Sequence, residues 1–293
     1  MDLRTLRYFI TVAQEGTISK AANMLHLTQP TLSKQLMELE EELGVILFIR
    51  GNRKITLTEE GSYLVSQAKE ILTLVEKTTS NLSKEEHISG DIHIGAGESH
   101  AMSFLAKIIH QLINNYPDVK IHLHSGNADE LSEKLDNGLL DFVLVIEPVD
   151  KKKYNFIQLP AKDCWGLLVP SNSDLASKEY IMPQDLHEIP LLISRQSKTS
   201  SELENWFGKS LNELNIIGSY NLLFNASLLV NEQVAYALCL DKIITTDEHS
   251  PLCFRPLKPT LEAGLAVIWK NNQIQSKAAK KFLDILYSFI TDK

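Results

Sequence analysis

The chain is poor in the features that mark several protein classes. Cys164, Cys239 and Cys253 are the only cysteines in 293 residues, odd in number and far apart. That excludes a disulfide-stapled scaffold or a cysteine zinc site, and it reads as buried thiols in a reducing compartment. A redox sensor is the lesser reading, since no cysteine has a second one nearby in sequence. No apolar run approaches the roughly 20 residues of a membrane span, so no membrane partner is expected. The first residues carry Asp2, Arg4 and Arg7 on an amphipathic helix rather than a signal peptide, so a cytoplasmic location is expected. Gly-x-Ser-x-Gly, His-Glu-x-x-His, phosphate-loop and dinucleotide fingerprints are all missing. No catalytic residue, metal ligand set or resident cofactor is therefore expected.

Charge of one sign is also scarce where it would matter most. The net charge is −8, which looks wrong for a protein that meets nucleic acid. The distribution is uneven, however. Residues 1–58 hold seven Lys or Arg against six Asp or Glu, while the other 235 hold 22 against 31. What binds phosphate is the local field, not the total.

What is present begins at residue 17. Ile18, Ala21, Ala22 and Leu25 give a short helix one apolar face, with alanines where another helix can pack closely. Thr28 is a good N-cap for a second helix, and Pro30 sits in its first turn, where a missing N–H does little harm. Leu32, Leu36, Leu39 and Leu43 form one inward stripe. The outward arc is Pro30, Thr31, Ser33 and Lys34, with Gln29 and Gln35 at its edges. These short donors and acceptors plus one cation suit base edges and phosphates. Glu38, Glu40, Glu41 and Glu42 follow, and are expected to point away from a duplex or to mark where the helix leaves the groove. An ordinary solvated face is the bland alternative, but the flanks argue against it. Leu3, Leu6, Phe9, Ile10 and Ala13 supply a third helix. Arg50-Gly51-Asn52-Arg53-Lys54 reads as a basic hairpin tip, with Arg50, Arg53 and Lys54 placed for backbone or minor-groove contact.

Residues Met1 to Phe9, Ser19-Lys20-Ala21-Ala22, Leu27 to Ser33, Leu39 to Gly44, Leu47 to Arg50 and Leu57 to Gly61 together resemble the LysR-type transcriptional regulators. The match is strong to about residue 86 and weaker beyond. The implied architecture is α/β. It comprises an N-terminal winged helix-turn-helix at 1–58, a linker and dimerisation helix at 59–88, and a two-lobed periplasmic-binding-protein-like effector domain at 89–293. Double-stranded DNA is the implied partner. The DNA-contacting set is Ser19, Thr28, Gln29, Pro30, Thr31, Ser33 and Lys34 on the motif, with Arg50, Arg53 and Lys54 on the wing. RNA polymerase is a further expected partner.

From Thr58 to about Glu86 there is no proline, and Gly61 is the only glycine. Leu64, Ala68, Ile71, Val75 and Leu82 recur at heptad-like spacings, a seam for a second copy. Packing on its own chain is the alternative. A homodimer, or a homotetramer as the resemblance implies, would match twofold operators.

After Asp91 strand-like and helix-like segments alternate, the rhythm of a parallel sheet. Strands are expected at 92–96, 119–124, 142–146, 164–169, 191–193, 220–224 and 263–269. Helices are expected at 101–115, 129–137, 200–214, 226–238 and 275–290. Lobe one is placed at about 91–161 plus 267–293, and lobe two at 162–266. Ligands of such sheets bind at the carboxyl ends of strands. Ser99, His100, Ser125, Asn127, Glu147, Arg195 and Asn225 are the candidate contacts for a small-molecule co-effector. Ser99 and Asn225 read equally as helix caps, and Ser125-Gly126-Asn127 as a turn. A guanidinium at Arg195 favours a carboxylate-bearing effector, though a surface ion pair explains it nearly as well. Asn231 to Leu238 stands where the family usually has a glycine-rich turn, which leaves the shape of the pocket wall open. His122 and His124 share a strand face, and His93 and His100 read as isolated, so no metal site is expected.

The function expected is sequence-specific transcriptional regulation controlled by a small effector. A transporter's solute-binding protein, or a cytosolic enzyme with an accessory helix-turn-helix, is the alternative.

Overall fold

The computed structural model describes residues 1–51, 54–82, 87–147, 150, 152–195, 201–247 and 249–291. The chain divides into two compact units, residues 1–82 and 83–293.

In the first unit each helix begins and ends on a local signal. Helix α1 (Leu3–Glu15) starts where the Asp2 carboxylate accepts the Thr5 amide at 2.7 Å, and stops at Gly16, φ 67°. Helix α2 (Ile18–Met24) is capped by Thr17. Helix α3 (Gln29–Leu43) is capped by Thr28 and closed by Gly44, also at φ 67°. Both glycines hold left-handed backbone that an L side chain adopts at a cost. Strands β1 (Phe48–Arg50) and β2 (Ile55–Leu57) pair antiparallel as the wing. Helix α4 (Glu59–Asn81) opens on Thr58 and packs against α1, so the linker helix belongs to this unit. Leu6, Phe9, Ala21, Ala22, Leu32, Leu36, Leu39, Leu47 and Phe48 form the core, joined by Ala68 and Leu72 of α4. Leu43 departs from the expected inward stripe. It is 38% exposed, because α3 ends there and the chain turns away.

The second unit starts with β3 (Gly90–Ala96), α5 (Met102–Asn115), β4 (Val119–Ser125), α6 (Ala128–Asp136) and β5 (Phe142–Ile146). These strands pair in parallel in the order β4-β3-β5. Strand β6 (Tyr154–Pro170) then runs 17 residues through both lobes. Lobe two adds β7 (Leu191–Ser194), α7 (Ser201–Phe207), β8 (Ile216–Tyr220), α8 (Leu223–Asn231), β9 (Tyr236–Leu240) and β10 (Leu252–Pro256). Strand β11 (Glu262–Lys270) returns alongside β6, and α9 (Lys277–Thr291) closes lobe one. The sheet order is β4-β3-β5-β11-β6-β9-β7-β8, with β10 on β6. Leu265 lies in the core of lobe one and Ala263 in that of lobe two, so the return crossing falls between them, at Gly264.

Three segments of lobe two differ from expectation. The strand expected at 220–224 is β8, ending at Tyr220, and α8 already begins at Leu223. The helix expected at 226–238 stops at Asn231, and its second half is strand β9. An apolar run of that length fits a buried strand as well as a helix. The helix expected at 200–214 is α7, which ends before Gly208 (φ 75°), followed by a 3-10 turn at Leu211–Glu213.

Candidate functional sites

Helix α3 presents the predicted arc outward. Thr28, Gln29, Pro30, Thr31 and Lys34 are exposed, as is Ser19 on α2, while Ser33 is half-buried. The arc is held by Leu32, Leu36 and Leu39 beneath it, each no more than 1% exposed. Thr28 accepts the Thr31 amide at 3.3 Å, and the two hydroxyls lie 2.8 Å apart. Two of the acidic residues that follow have partners in the chain itself. Glu38 sits 3.6 Å from the Lys34 ammonium and accepts a hydrogen bond from Gln35 Nε2 at 3.0 Å. One turn along a helix brings such side chains together. Glu40 folds back and accepts the amides of Leu47 (2.7 Å) and Phe48 (3.2 Å), fastening α3 to the wing. At the wing, the Gly51 amide donates to Lys54 O at 3.0 Å. The Arg50 backbone pairs with Ile55, and Arg53 lies outside the described residues.

The α4 seam splits in two. Ala68 is fully buried in its own chain's core, and Leu64 is half-buried against it. Val75 is half-buried. Ile71 (37%) and Leu82 (74%) are exposed, along with Tyr63 and Leu74. Own-chain packing thus claims Ala68.

Between the lobes lies a cavity of about 360 Å³. Ser99, Glu147 and Arg195 line it, as expected of them. Ser99 Oγ accepts the Ala101 amide at 3.0 Å and donates to Asp163 at 2.6 Å. Asp163 is 2% exposed, and burial raises its carboxyl above the ordinary value, with the Asp241 charge adding to the rise and the Ser99 hydroxyl opposing it. Glu147 accepts a hydrogen bond from Gln158 Nε2 at 3.0 Å. A Cβ on Gly264 would fall 2.2 Å from the Glu147 carboxylate, which would then have to move aside.

The other four candidates lie elsewhere. Asn127 is a buried cap whose side chain accepts the Glu130 amide at 2.9 Å, while its neighbours Gly126, Ala128 and Asp129 line the cavity. Ser125 and His100 are exposed and not in the lining. Asn225 is exposed inside α8, whose N-cap is Leu222, so it neither opens the helix nor reaches the cavity. Asn221, one helical turn earlier, takes the place expected of it. Residue-type reasoning passed over Glu98, Asp129, Glu202, Ser194 and Tyr220, which also line the cavity. Glu98 in lobe one accepts the Leu223 amide at the start of α8 in lobe two. Its position just after β3 was the available signal.

His93 is not isolated. Its Nδ1 lies 3.2 Å from His124 Nε2, and its ring stacks on His122 at 4.6 Å. His122 in turn meets Asp91 at 2.8 Å. Register explains the cluster, since β3 and β4 pair His93 with His122. Among the described residues, no three His, Cys, Asp or Glu are arranged to hold a metal ion. The three cysteines are free thiols, and burial pushes both Cys239 and Cys164 up, away from thiolate.

These units have known counterparts. A model of bacterial regulatory helix-turn-helix proteins of the lysR family matches residues 3–62, and one of the LysR substrate binding domain matches residues 85–289. The HTH-type transcriptional regulator BsdA of Bacillus subtilis (strain 168) is 30% identical over 300 residues, spanning 97% of this chain and 100% of that protein. The dual regulator OxyR of Escherichia coli (strain K12) is 34% identical over 201 residues, 64% of this chain and 65% of that one. The crystal structure of full-length CbnR with its target DNA superposes with a TM-score of 0.77 at 20% identity, covering 98% of this chain and 99% of the other, a likeness of fold. No helix among the described residues is long and apolar enough to cross a membrane. The chain belongs to the LysR family of transcriptional regulators, a DNA-binding helix-turn-helix unit followed by an effector-binding domain.

Proposed function

We propose that α3 enters the major groove of an operator, with Gln29, Ser33 and Lys34 reading base edges and Ser19, Thr28, Pro30 and Thr31 setting its register on the backbone. Arg50, Arg53 and Lys54 of the wing hold phosphates beside it. Two copies pair through the exposed part of the α4 seam, Ile71 and Leu82 with Tyr63 and Leu74. That places two recognition helices on a twofold site, as a dimer or a dimer of dimers. A small molecule held between the lobes by Ser99, Glu147 and Arg195 changes how the pair grips or bends DNA. RNA polymerase at the adjoining promoter reads that change. The protein works in the cytoplasm and performs no catalysis of its own.

The observation that carries this reading is the arc of short polar side chains on α3, held outward by Leu32, Leu36 and Leu39 and tied to the wing through Glu40. Footprinting of the full chain on the DNA upstream of its own gene tests it. Protection over an inverted repeat is expected. Gln29→Ala, which removes one base contact, should weaken it about tenfold at low salt. A folded protein that leaves this DNA unprotected at low salt overturns the reading for that promoter.

A further inference from the structure

We propose that the effector of this chain is a cation, an amine or guanidinium group on an apolar body, rather than the carboxylate that Arg195 alone would favour. The inference rests on reading the interlobe cavity as the effector site.

Charge comes first. Among the described residues lining the cavity, Glu98, Asp129, Glu147 and Glu202 are carboxylates and Arg195 is the one cation. Four negative charges around a partly enclosed space of about 360 Å³ repel a fifth and attract a positive group.

The second observation concerns the places where an anion would otherwise settle. A helix N-terminus presents unpaired amides and a positive dipole end. At α8 the N-cap Leu222 brings no side-chain acceptor, and Glu98 reaches across from the other lobe to accept the Leu223 amide. At α6 the Asn127 side chain caps the first turn, which also carries Asp129 and Glu130. At each of these termini one amide is thus already bonded to an oxygen of the protein itself. A carboxylate seated on the α8 terminus would compete with Glu98 there, whereas a cation pairs with the negative charge that remains.

The third is construction. Glu147 accepts a hydrogen bond from Gln158 Nε2 at 3.0 Å and lies over Gly264, whose missing Cβ leaves it room in this position. Trp165, Tyr220, Leu144 and Leu265 supply the apolar wall that an organic body needs.

The test compares three probes of one carbon skeleton, 2-phenylethylamine, 2-phenylethanol and phenylacetate, by titration calorimetry on the full-length protein. The amine should bind about tenfold more tightly than either of the others, the increment of one charge-assisted hydrogen bond. Glu147→Gln should remove most of that margin, and Glu98→Gln part of it. Circular dichroism of each variant establishes that it is folded. Phenylacetate bound most tightly, and released by Arg195→Ala, overturns the cationic class while leaving the cleft as an effector site. Equal binding of the three, no binding of any, or a preference for the amine that survives Glu147→Gln and Glu98→Gln likewise overturns the proposal. The regulator reading stands or falls separately on the operator footprint, in which no effector charge enters.

Discussion

Replacing Gly61 with alanine should unfasten the wing. In an open helix that change stabilises by up to about 1 kcal/mol, because glycine is a poor helix former. Here a Cβ would fall 2.1 Å from the Leu47 carbonyl oxygen and 3.1 Å from a Leu57 methyl. Helix α4 must then retreat by roughly 1 Å to restore ordinary contact. Two hydrogen bonds stand in the way of that retreat: the Thr58 amide to Leu47 O at 3.0 Å, and the Thr58 hydroxyl to Ile46 O at 2.7 Å. Losing both costs about 2 kcal/mol. Disturbing the packing of buried Leu47 and Phe48 adds about 1–3 kcal/mol. Net of the helix gain, a destabilisation of about 2–4 kcal/mol is expected. Urea unfolding reads it, and the chain supplies its own control. All three tryptophans, Trp165, Trp206 and Trp269, lie beyond residue 82. The loss should therefore move the far-UV ellipticity of the helical first unit while tryptophan fluorescence holds its midpoint. Gly16→Ala and Gly44→Ala serve as comparison. Each meets nothing within 4 Å but sits at φ 67°, which costs about 1–2 kcal/mol. Gly61→Ala unfolding at or above the wild-type urea concentration would refute the collision argument.

Two further perturbations probe lobe two and the buried partner of Ser99. Asp163 holds its proton more tightly in the folded than in the unfolded chain, because burial raises its carboxyl. Its contribution is therefore present below the ordinary carboxylate value of about 3.9 and lost as pH rises through the elevated folded value. Asp163→Asn keeps an acceptor for the Ser99 hydroxyl and removes that loss, so its melting temperature should gain on wild type between pH 4 and pH 7. A difference that stays constant over that range would refute the linkage. Gln233, at the turn after α8, carries φ 58°. Gln233→Gly should stabilise lobe two by about 0.5–1 kcal/mol in tryptophan-detected urea unfolding, and a loss of stability would show that the side chain contributes more than the backbone strain costs.

The legibility of the chain follows the range of its signals. Helices α1, α2 and α3 begin at Asp2, Thr17 and Thr28, and two of them end at Gly16 and Gly44. Each signal acts within four residues of itself, so the motif and its outward arc can be read without a fold. Lobe two has weaker punctuation. The break between α8 and β9 is made by Gln233 rather than a glycine, so 226–238 reads as one helix when it is a helix and a strand. Strand β6 reads as a strand only from Cys164, though it begins at Tyr154. Its first half is defined by pairing with β11 about 110 residues away, through contacts such as Ile157 with Val267.

The cleft adds a different obstacle, because its chemistry is a sum over distant residues. Arg195 read alone points to a carboxylate ligand. Only folding brings Glu98, Asp129, Glu147 and Glu202 around the same space and reverses the sign of the surroundings. Ser99 shows the same effect. Expected as a candidate helix cap, it instead accepts the Ala101 amide in the turn before α5, whose N-cap is Ala101, and its proton goes to Asp163, 64 residues away, in the strand that joins the lobes. One hydroxyl thus ties the turn before α5 in lobe one to a buried carboxylate on that crossing strand. The DNA-reading face can thus be inferred one residue at a time, whereas effector class has to be argued from the net charge of the assembled cavity.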